Sequence, residues 1–162
     1  MAIFRSLWPA EALPSIKGHG VYLRTPRLGD YEEWSALRAE SRRFLAPWEP
    51  VWPEDDLTRA AFRRRVQRYA HDRQADLGYW MGERYARQGH MSAALAALVP
   101  FAHDVLRLKR IEAACLPHNT GSVRLLEKSR FTREGHARAY LCIAGEWQDH
   151  LLYARLAGDP LP

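Results

Sequence analysis

The stretch "LGYWMGERYARQGHMSAAL" (residues 77–95) decides how the rest of the chain is read. Its first six residues are a nearly continuous apolar run, which predicts a short buried strand over 77–82. From Met91 onward apolar residues recur at helical spacing and predict a helix to about Leu106. Pro100 lies inside that helix and should kink it, because proline has no amide hydrogen to give. Between strand and helix lies a turn built on Gly89. A helix N-terminus exposes unpaired N–H groups and partial positive charge, so this arrangement is a natural seat for a phosphate. Arg87, Gln88, Gly89, His90 and Met91 are therefore candidates to hold an anionic ligand. One glycine also fits an ordinary turn, so the neighbours must decide.

Downstream, "RIEAACL" (110–116) reads as a strand, and Asn119 caps a helix running to about Ser129. Asn119 and Ser122 then stand at a second helix start. If the two strands are parallel neighbours, both helix N-termini open onto one crevice, although capping alone accounts for Asn119. "ARAYLCI" and "EWQDHLLYARL" flank Ala144–Gly145 and form a closing hairpin. Upstream, "GVYLRT" (20–25) alternates like a strand. Asp30 with Glu33 resembles a capping box for a helix over 31–42. The proline-rich "LAPWEPVWPEDD" is a loop; its Trp48 and Trp52 either wall a substrate pocket or simply pack. A further amphipathic helix over 57–73 carries Arg59, Arg63, Arg64, Arg65 and Arg68 on its outer face, as an RNA-facing stripe or as a solvated surface. The order β-α-α-β-α-β-α-β-β predicts one α/β (α+β) domain over 1–162, with a mixed sheet flanked by helices.

The 162 residues are 47% hydrophobic and 27% charged, as in a water-soluble globular domain. The net charge of +5 favours anionic partners. No apolar run reaches membrane-spanning length, and the proline-interrupted start is no secretory signal. Cys115 and Cys142 are far apart and make no metal or redox motif, so the expected location is cytoplasmic and reducing. The seven histidines show no zinc spacing, and no metal site is expected. GxSxG, GxGxxG and Walker patterns are absent.

Several segments in order, "FLAPWEP" (44–50), "LGYWMGERYARQGHMSAAL" (77–95), "RIEAACLPHNTGSVRLLEK" (110–128) and "REGHARAYLCIAGEWQDHLLY" (133–153), resemble the GCN5-related N-acetyltransferases (GNAT), specifically the Rim-type ribosomal-protein alanine acetyltransferases. The resemblance implies acetyl-CoA as cosubstrate, lying between strands 77–82 and 110–116. The pantetheine arm would pair with backbone from Tyr79 through Trp80 and Met81 to Gly82, and the pyrophosphate would sit on Arg87–Met91. It implies direct attack of a primary amine on the thioester, with no covalent enzyme intermediate; the acceptor would be a protein N-terminal α-amine, or else a small amine, with ribosome association. Many relatives carry a tyrosine seven residues after the asparagine to protonate the thiolate. Leu126 stands there, so Ser122 is the replacement, and Glu134 matches a carboxylate that helps deprotonate the amine.

Three departures qualify the resemblance. Arg87 stands where branch members usually carry glycine, at a cost on the order of 1–2 kcal/mol if its backbone is left-handed, and Arg130 replaces the glycine that ends a helix, at a cost on the order of 1 kcal/mol under the same condition. The family's β-hairpin between the second helix and the strand at 77, its second and third strands, is missing here. The exposed edge of 77–82 is then expected to pair antiparallel with strand 20–25, or with a second copy in a homodimer. A degenerate, non-enzymatic paralogue with weak or no CoA binding, and a basic RNA-associated protein, are the competing readings.

Overall fold

The computed structural model describes residues 15–160, apart from residue 19 and residues 72–75. A three-stranded antiparallel sheet is its centre. It comprises β3 (Arg110–Cys115), β4 (Thr132–Ile143) and β5 (Glu146–Leu156), in the order β3-β5-β4. The hairpin between β4 and β5 closes through Ala144 (φ 51°) and Gly145 (φ 91°). Positive φ at both turn residues is the two-residue geometry whose twist suits a hairpin. A separate two-stranded pair, β1 (Ile16–Gly18) and β2 (Val21–Leu23), lies against α4.

The helices are α1 (Tyr31–Glu40), α2 (Arg42–Leu45), α3 (Arg59–His71), α4 (His90–Pro100) and α5 (Thr120–Lys128). Along β3 every second residue is buried. Ile111, Ala113 and Cys115 join Leu151 and Tyr153 of β5, Leu95 and Leu98 of α4, and Leu126 and Phe131 in one apolar core. Removing each of the larger ones, leucine, isoleucine or phenylalanine, from water stabilises the fold by about 1.5–3 kcal/mol. After Pro100 the helix does not break. It widens into a π-helical turn, Phe101–Val105, in which the Leu106 N–H reaches back to the Phe101 carbonyl at 3.1 Å. The expected kink takes this form because proline removes one rung of the α ladder.

Helix ends agree with the sequence in part. Asn119 caps α5, its Oδ1 accepting the Ser122 N–H at 3.1 Å. At the other end Arg130 has φ 61°. Its N–H donates to the Glu127 carbonyl and that of Phe131 to the Leu126 carbonyl, both at 3.0 Å. This is a Schellman closure with arginine at the left-handed position that favours glycine. Arg130→Gly is therefore expected to stabilise the protein by about 1 kcal/mol, read as a higher urea midpoint with unchanged slope; a lower midpoint would show that the arginine stabilises the fold. Asp30, by contrast, does not cap α1 with its side chain. Its carboxylate takes both Arg24 guanidinium nitrogens, at 2.7 and 2.6 Å, and the Arg27 N–H at 2.8 Å. Those charge-assisted bonds hold Asp30 below the usual carboxylate range.

The largest departure concerns residues 77–82, which form no strand. A single parallel bridge joins Asp76 to Glu112, with the Leu77 N–H on the Glu112 carbonyl at 2.7 Å, and the segment then leaves β3. It does not pair with 20–25 either. β2 takes β1 as its partner, in the register Ile16↔Leu23. The turn at Gly20, φ 77°, brings that partner within a few residues, and so short a loop costs far less closure entropy than pairing across most of the chain. The buried Leu77 side chain meanwhile ties the segment to the core beside β3. Between β2 and the segment lies a cavity of about 640 Å³, lined by Val21, Leu23, Trp34, Leu37, Phe62 and Leu95 among others.

Around α1 a buried cation organises the remaining loops. Arg38, 4% exposed, donates to Glu49 at 2.9 Å and lies 3.6 Å from Asp56. The ring of Trp52 is 4.0 Å from its guanidinium and that of Trp80 5.0 Å. On α3, Arg59 pairs with Glu32, Arg64 with Asp55 and Arg65 with Asp56. Part of the arginine stripe thus answers the chain's own carboxylates.

Candidate active site

Because residues 77–81 leave β3 after one bridge, a crevice of about 540 Å³ opens between them and the carboxyl end of β3. One wall is Tyr79, Trp80 and Met81; the other is Ala114, Cys115 and Leu116. Among the described residues, the N–H groups of Gly78, Tyr79, Trp80 and Met81 make no hydrogen bond. Such a run of unused backbone donors beside a cleft is what an extended ligand with amide groups would pair with.

Two helix starts open onto the crevice. Gly89, φ 83°, precedes α4, and Arg87 has φ 60°. Gly89, His90, Met91 and Ser92 line the crevice together with Gly121 and Ser122 of α5. Arg87 lines it too, and its guanidinium has no partner among the described residues. These N-termini and the arginine suit an anion. Phe44, Trp48, Glu49 and Pro50 also line it, as do Leu141, Ile143 and His150 of the β4–β5 hairpin, and the Trp48 ring lies 5.6 Å from that of His118, just ahead of α5. The Ala144 N–H donates to the Glu49 carbonyl at 3.2 Å and ties loop to hairpin.

The structure thus brings Tyr79, Trp80, Met81, Arg87, Gly89, His90, Met91, Asn119, Ser122 and Trp48 to one cavity. Four expected residues fall elsewhere. Gly82 is buried behind the wall, and a Cβ there would come within 2.5 Å of the Leu37 side chain, so it serves close packing. Gln88 turns back, its amide donating to the Arg84 carbonyl at 2.7 Å. Trp52 stacks on Arg38 and donates to Glu49 at 2.7 Å, away from the crevice. Glu134 sits exposed at the start of β4, bound by both terminal nitrogens of Arg110 at 3.0 and 2.6 Å. That pairing holds its carboxyl below the usual range. Arg110 begins β3 and the crevice lies at its end, so Glu134 is too far along the strand to take a proton there.

Sequence reasoning missed three crevice features. Glu49 and His150 line it, and neither has a motif; β5 is buried on both faces toward its carboxyl end, so alternation does not single His150 out. Arg124 and Lys128 add positive charge to the α5 side, and their spacing of four on a helix starting at Asn119 was the available signal. The Tyr79 phenol is buried and finds no hydrogen-bond partner among the described residues. Burial pushes its pKa up to about 12, with Ser122 the neighbour opposing the shift, so it is a donor and never a base near neutrality. Among the described residues no group of three or more His, Cys, Asp or Glu is placed to hold a metal ion, and no helix is long and apolar enough to cross a membrane.

Comparison with known proteins gives this geometry a family. The acetyltransferase (GNAT) domain model matches residues 65–132, from α3 through the loop and α4 to the end of α5. The [ribosomal protein uS5]-alanine N-acetyltransferase of Escherichia coli (strain K12) is 30% identical over 169 positions, covering 84% of this chain and 84% of its own length. Since 84% of 162 residues is about 136, about 33 of those 169 positions have no counterpart in this chain. The ribosomal-protein-S5-alanine acetyltransferase of Vibrio fischeri shares the fold, with a TM-score of 0.80 over 92% of this chain and 100% of that one at 24% identity. Mycobacterium smegmatis RimJ, solved in complex with CoA-disulfide, gives 0.77 over 90% and 87% at 25% identity. A cleft opened by two diverging segments, with two helix N-termini at its mouth, thus coincides with a relative matched along most of both chains: this protein belongs to the GNAT acetyltransferase family.

Proposed function

We propose that this protein transfers the acetyl group of acetyl-CoA to a primary amine, a protein N-terminal α-amine being the acceptor. One observation carries the reading: the crevice joins backbone N–H groups at Gly78–Met81 to the two helix N-termini and Arg87, all the N–H groups at 78–81 and the Arg87 guanidinium being without a partner among the described residues. The first would pair with the amide-bearing pantetheine arm, while Arg87 and the start of α4 would hold the pyrophosphate. The thioester would then lie beside the start of α5, facing Trp48, Glu49 and the hairpin. There Ser122 supplies a hydroxyl to the departing thiolate at the positive end of α5, while Trp48 and its loop orient the acceptor and exclude water. The relatives named for alanine acetylation of a ribosomal protein favour an N-terminal acceptor and ribosome association over a small amine.

The loss of a β-hairpin ahead of residue 77 fits the same reading. About 33 unmatched alignment positions are close to the length of two strands and their flanks, and the 640 Å³ cavity beside the 77–82 segment is where such strands would pack. The open edge beside that cavity is where a second copy would pair in a homodimer, checked by sedimentation across a concentration series. Isothermal titration with acetyl-CoA tests the main proposal. Micromolar binding and acetyl transfer to an N-terminal peptide are expected; no binding at millimolar concentration would leave the degenerate paralogue as the reading. Arg87→Gly is expected to relieve about 1–2 kcal/mol of left-handed strain and to tighten acetyl-CoA binding. A tenfold weaker complex would instead make Arg87 a working phosphate ligand.

A further inference from the structure

Glu134 is bound to Arg110, both Glu49 carboxylate oxygens are taken by Arg38 and the Trp52 indole, and His90 Nε2 contacts Gln88 Oε1 at 3.2 Å, so the acceptor ammonium needs another group to take its proton. Amines near neutral pH are mostly protonated and have no lone pair to attack with. We infer that His150 is the general base that deprotonates the acceptor amine. This rests on the acetyltransferase reading, and four observations on β5 and β4 carry it.

His150 lines the crevice together with Trp48 and Glu49 and is only 4% exposed. Its Nδ1 lies 3.1 Å from the carbonyl oxygen of Gln148 on its own strand. A carbonyl only accepts, so that contact fixes the proton on Nδ1 and leaves the lone pair on Nε2. Nε2 has no partner among the described residues, yet it is not among their sealed, unpartnered polar atoms. On so buried a side chain, its access is to the crevice.

The strand next door is shaped around this ring. β4 departs from regular register between Ala137, the partner of His150, and Leu141. In that bulge Ala139 has φ 45° and its N–H donates to the Asp149 carboxylate at 2.9 Å. Tyr140 is thereby turned over the imidazole, with ring centroids 5.3 Å apart. Bulges next to active sites re-aim a side chain in this way, and here the effect is to hold the histidine ring in one orientation.

The step balances as follows. Nε2 takes one proton from the ammonium. The freed lone pair forms the C–N bond to the acetyl carbon, the C–S bond breaks, and the sulfur leaves with its electron pair. The second proton lost by nitrogen matches the one the thiolate gains from the Ser122 side, and the imidazolium returns its proton to solvent.

The test combines a measurement needing no turnover with variants. Two-bond nitrogen–proton NMR of the native protein is expected to show His150 as the Nδ1–H tautomer; an Nε2–H tautomer overturns the inference even if the chain has lost activity. In an active protein, His150→Ala and the size-conserving His150→Gln are expected to lower kcat by about 10²–10⁴-fold, with acetyl-CoA affinity within twofold of native. Free imidazole should restore part of the rate to His150→Ala. The deficit of His150→Gln should shrink for an acceptor amine already neutral at the assay pH. A kcat within threefold of native in either variant, or a deficit indifferent to both imidazole and acceptor basicity, overturns it. Failure of the native protein to bind acetyl-CoA would count against the proposed function and leave the tautomer result to judge His150.

Discussion

Arg38→Met is expected to destabilise the protein by about 3–5 kcal/mol, the cost of removing one partner from a buried ion pair. Methionine keeps most of the volume, so the loss is electrostatic rather than a cavity. Arg38 is 4% exposed, as is Asp56, and it serves both Asp56 and Glu49. Without the guanidinium, among the described residues Asp56 keeps its pair with Arg65, and Glu49 its bond from the Trp52 indole. Three indole rings also lose the cation at their centre, with Trp34 6.0 Å, Trp80 5.0 Å and Trp52 4.0 Å from it. Each close contact contributes on the order of 1 kcal/mol. Urea unfolding should show a much lower midpoint at unchanged slope. A loss under 1 kcal/mol would mean that Arg65 and water compensate, and that the cluster is incidental. Function should suffer as well, since Glu49 anchors the loop carrying Trp48, and the acceptor KM should rise before acetyl-CoA affinity falls.

Arg38 also marks where the sequence stops being informative. In "YEEWSALRAESRR" it is one arginine among several on a helix, and nothing local says that it turns inward between tryptophans from three segments. The features that were legible rest on short-range chemistry. Asn119 announced a cap, Ala144–Gly145 a two-residue turn, and Arg87 and Arg130 stood at places where only a left-handed residue closes the chain. Hidden features depended on partners far along the sequence. "LGYWMG" has the composition of a strand and forms none, because a strand needs a neighbour and β2 had a nearer one in β1. Glu134 looked catalytic until Arg110, at the wrong end of β3, was seen to hold it. His150 carries no motif; only the Gln148 carbonyl and the β4 bulge give it a direction.

Ser122→Ala is expected to lower kcat by about 100-fold or more while leaving acetyl-CoA affinity within a few-fold. Removing one well-placed donor to a developing anion typically costs about 10²–10³ in rate. The substitution isolates the hydroxyl, because the cap of α5 uses the Ser122 backbone N–H and that bond to Asn119 survives. The helix start therefore stays in place, with its positive end still toward the thiolate. Leu126, fully buried in the core one turn further on, cannot substitute as a donor, which leaves Tyr79 as the second hydroxyl beside Ser122. Its phenol is protonated, its pKa pushed up to about 12 by burial, and without a partner among the described residues. If it shares the load, Tyr79→Phe alone costs less than Ser122→Ala, and the double variant costs more than either. Steady-state kinetics with an N-terminal peptide, alongside titration with acetyl-CoA, separates these cases. A Ser122→Ala protein that binds acetyl-CoA normally and keeps kcat within threefold would remove Ser122 from the chemistry and make its hydroxyl a packing group in the first turn of α5.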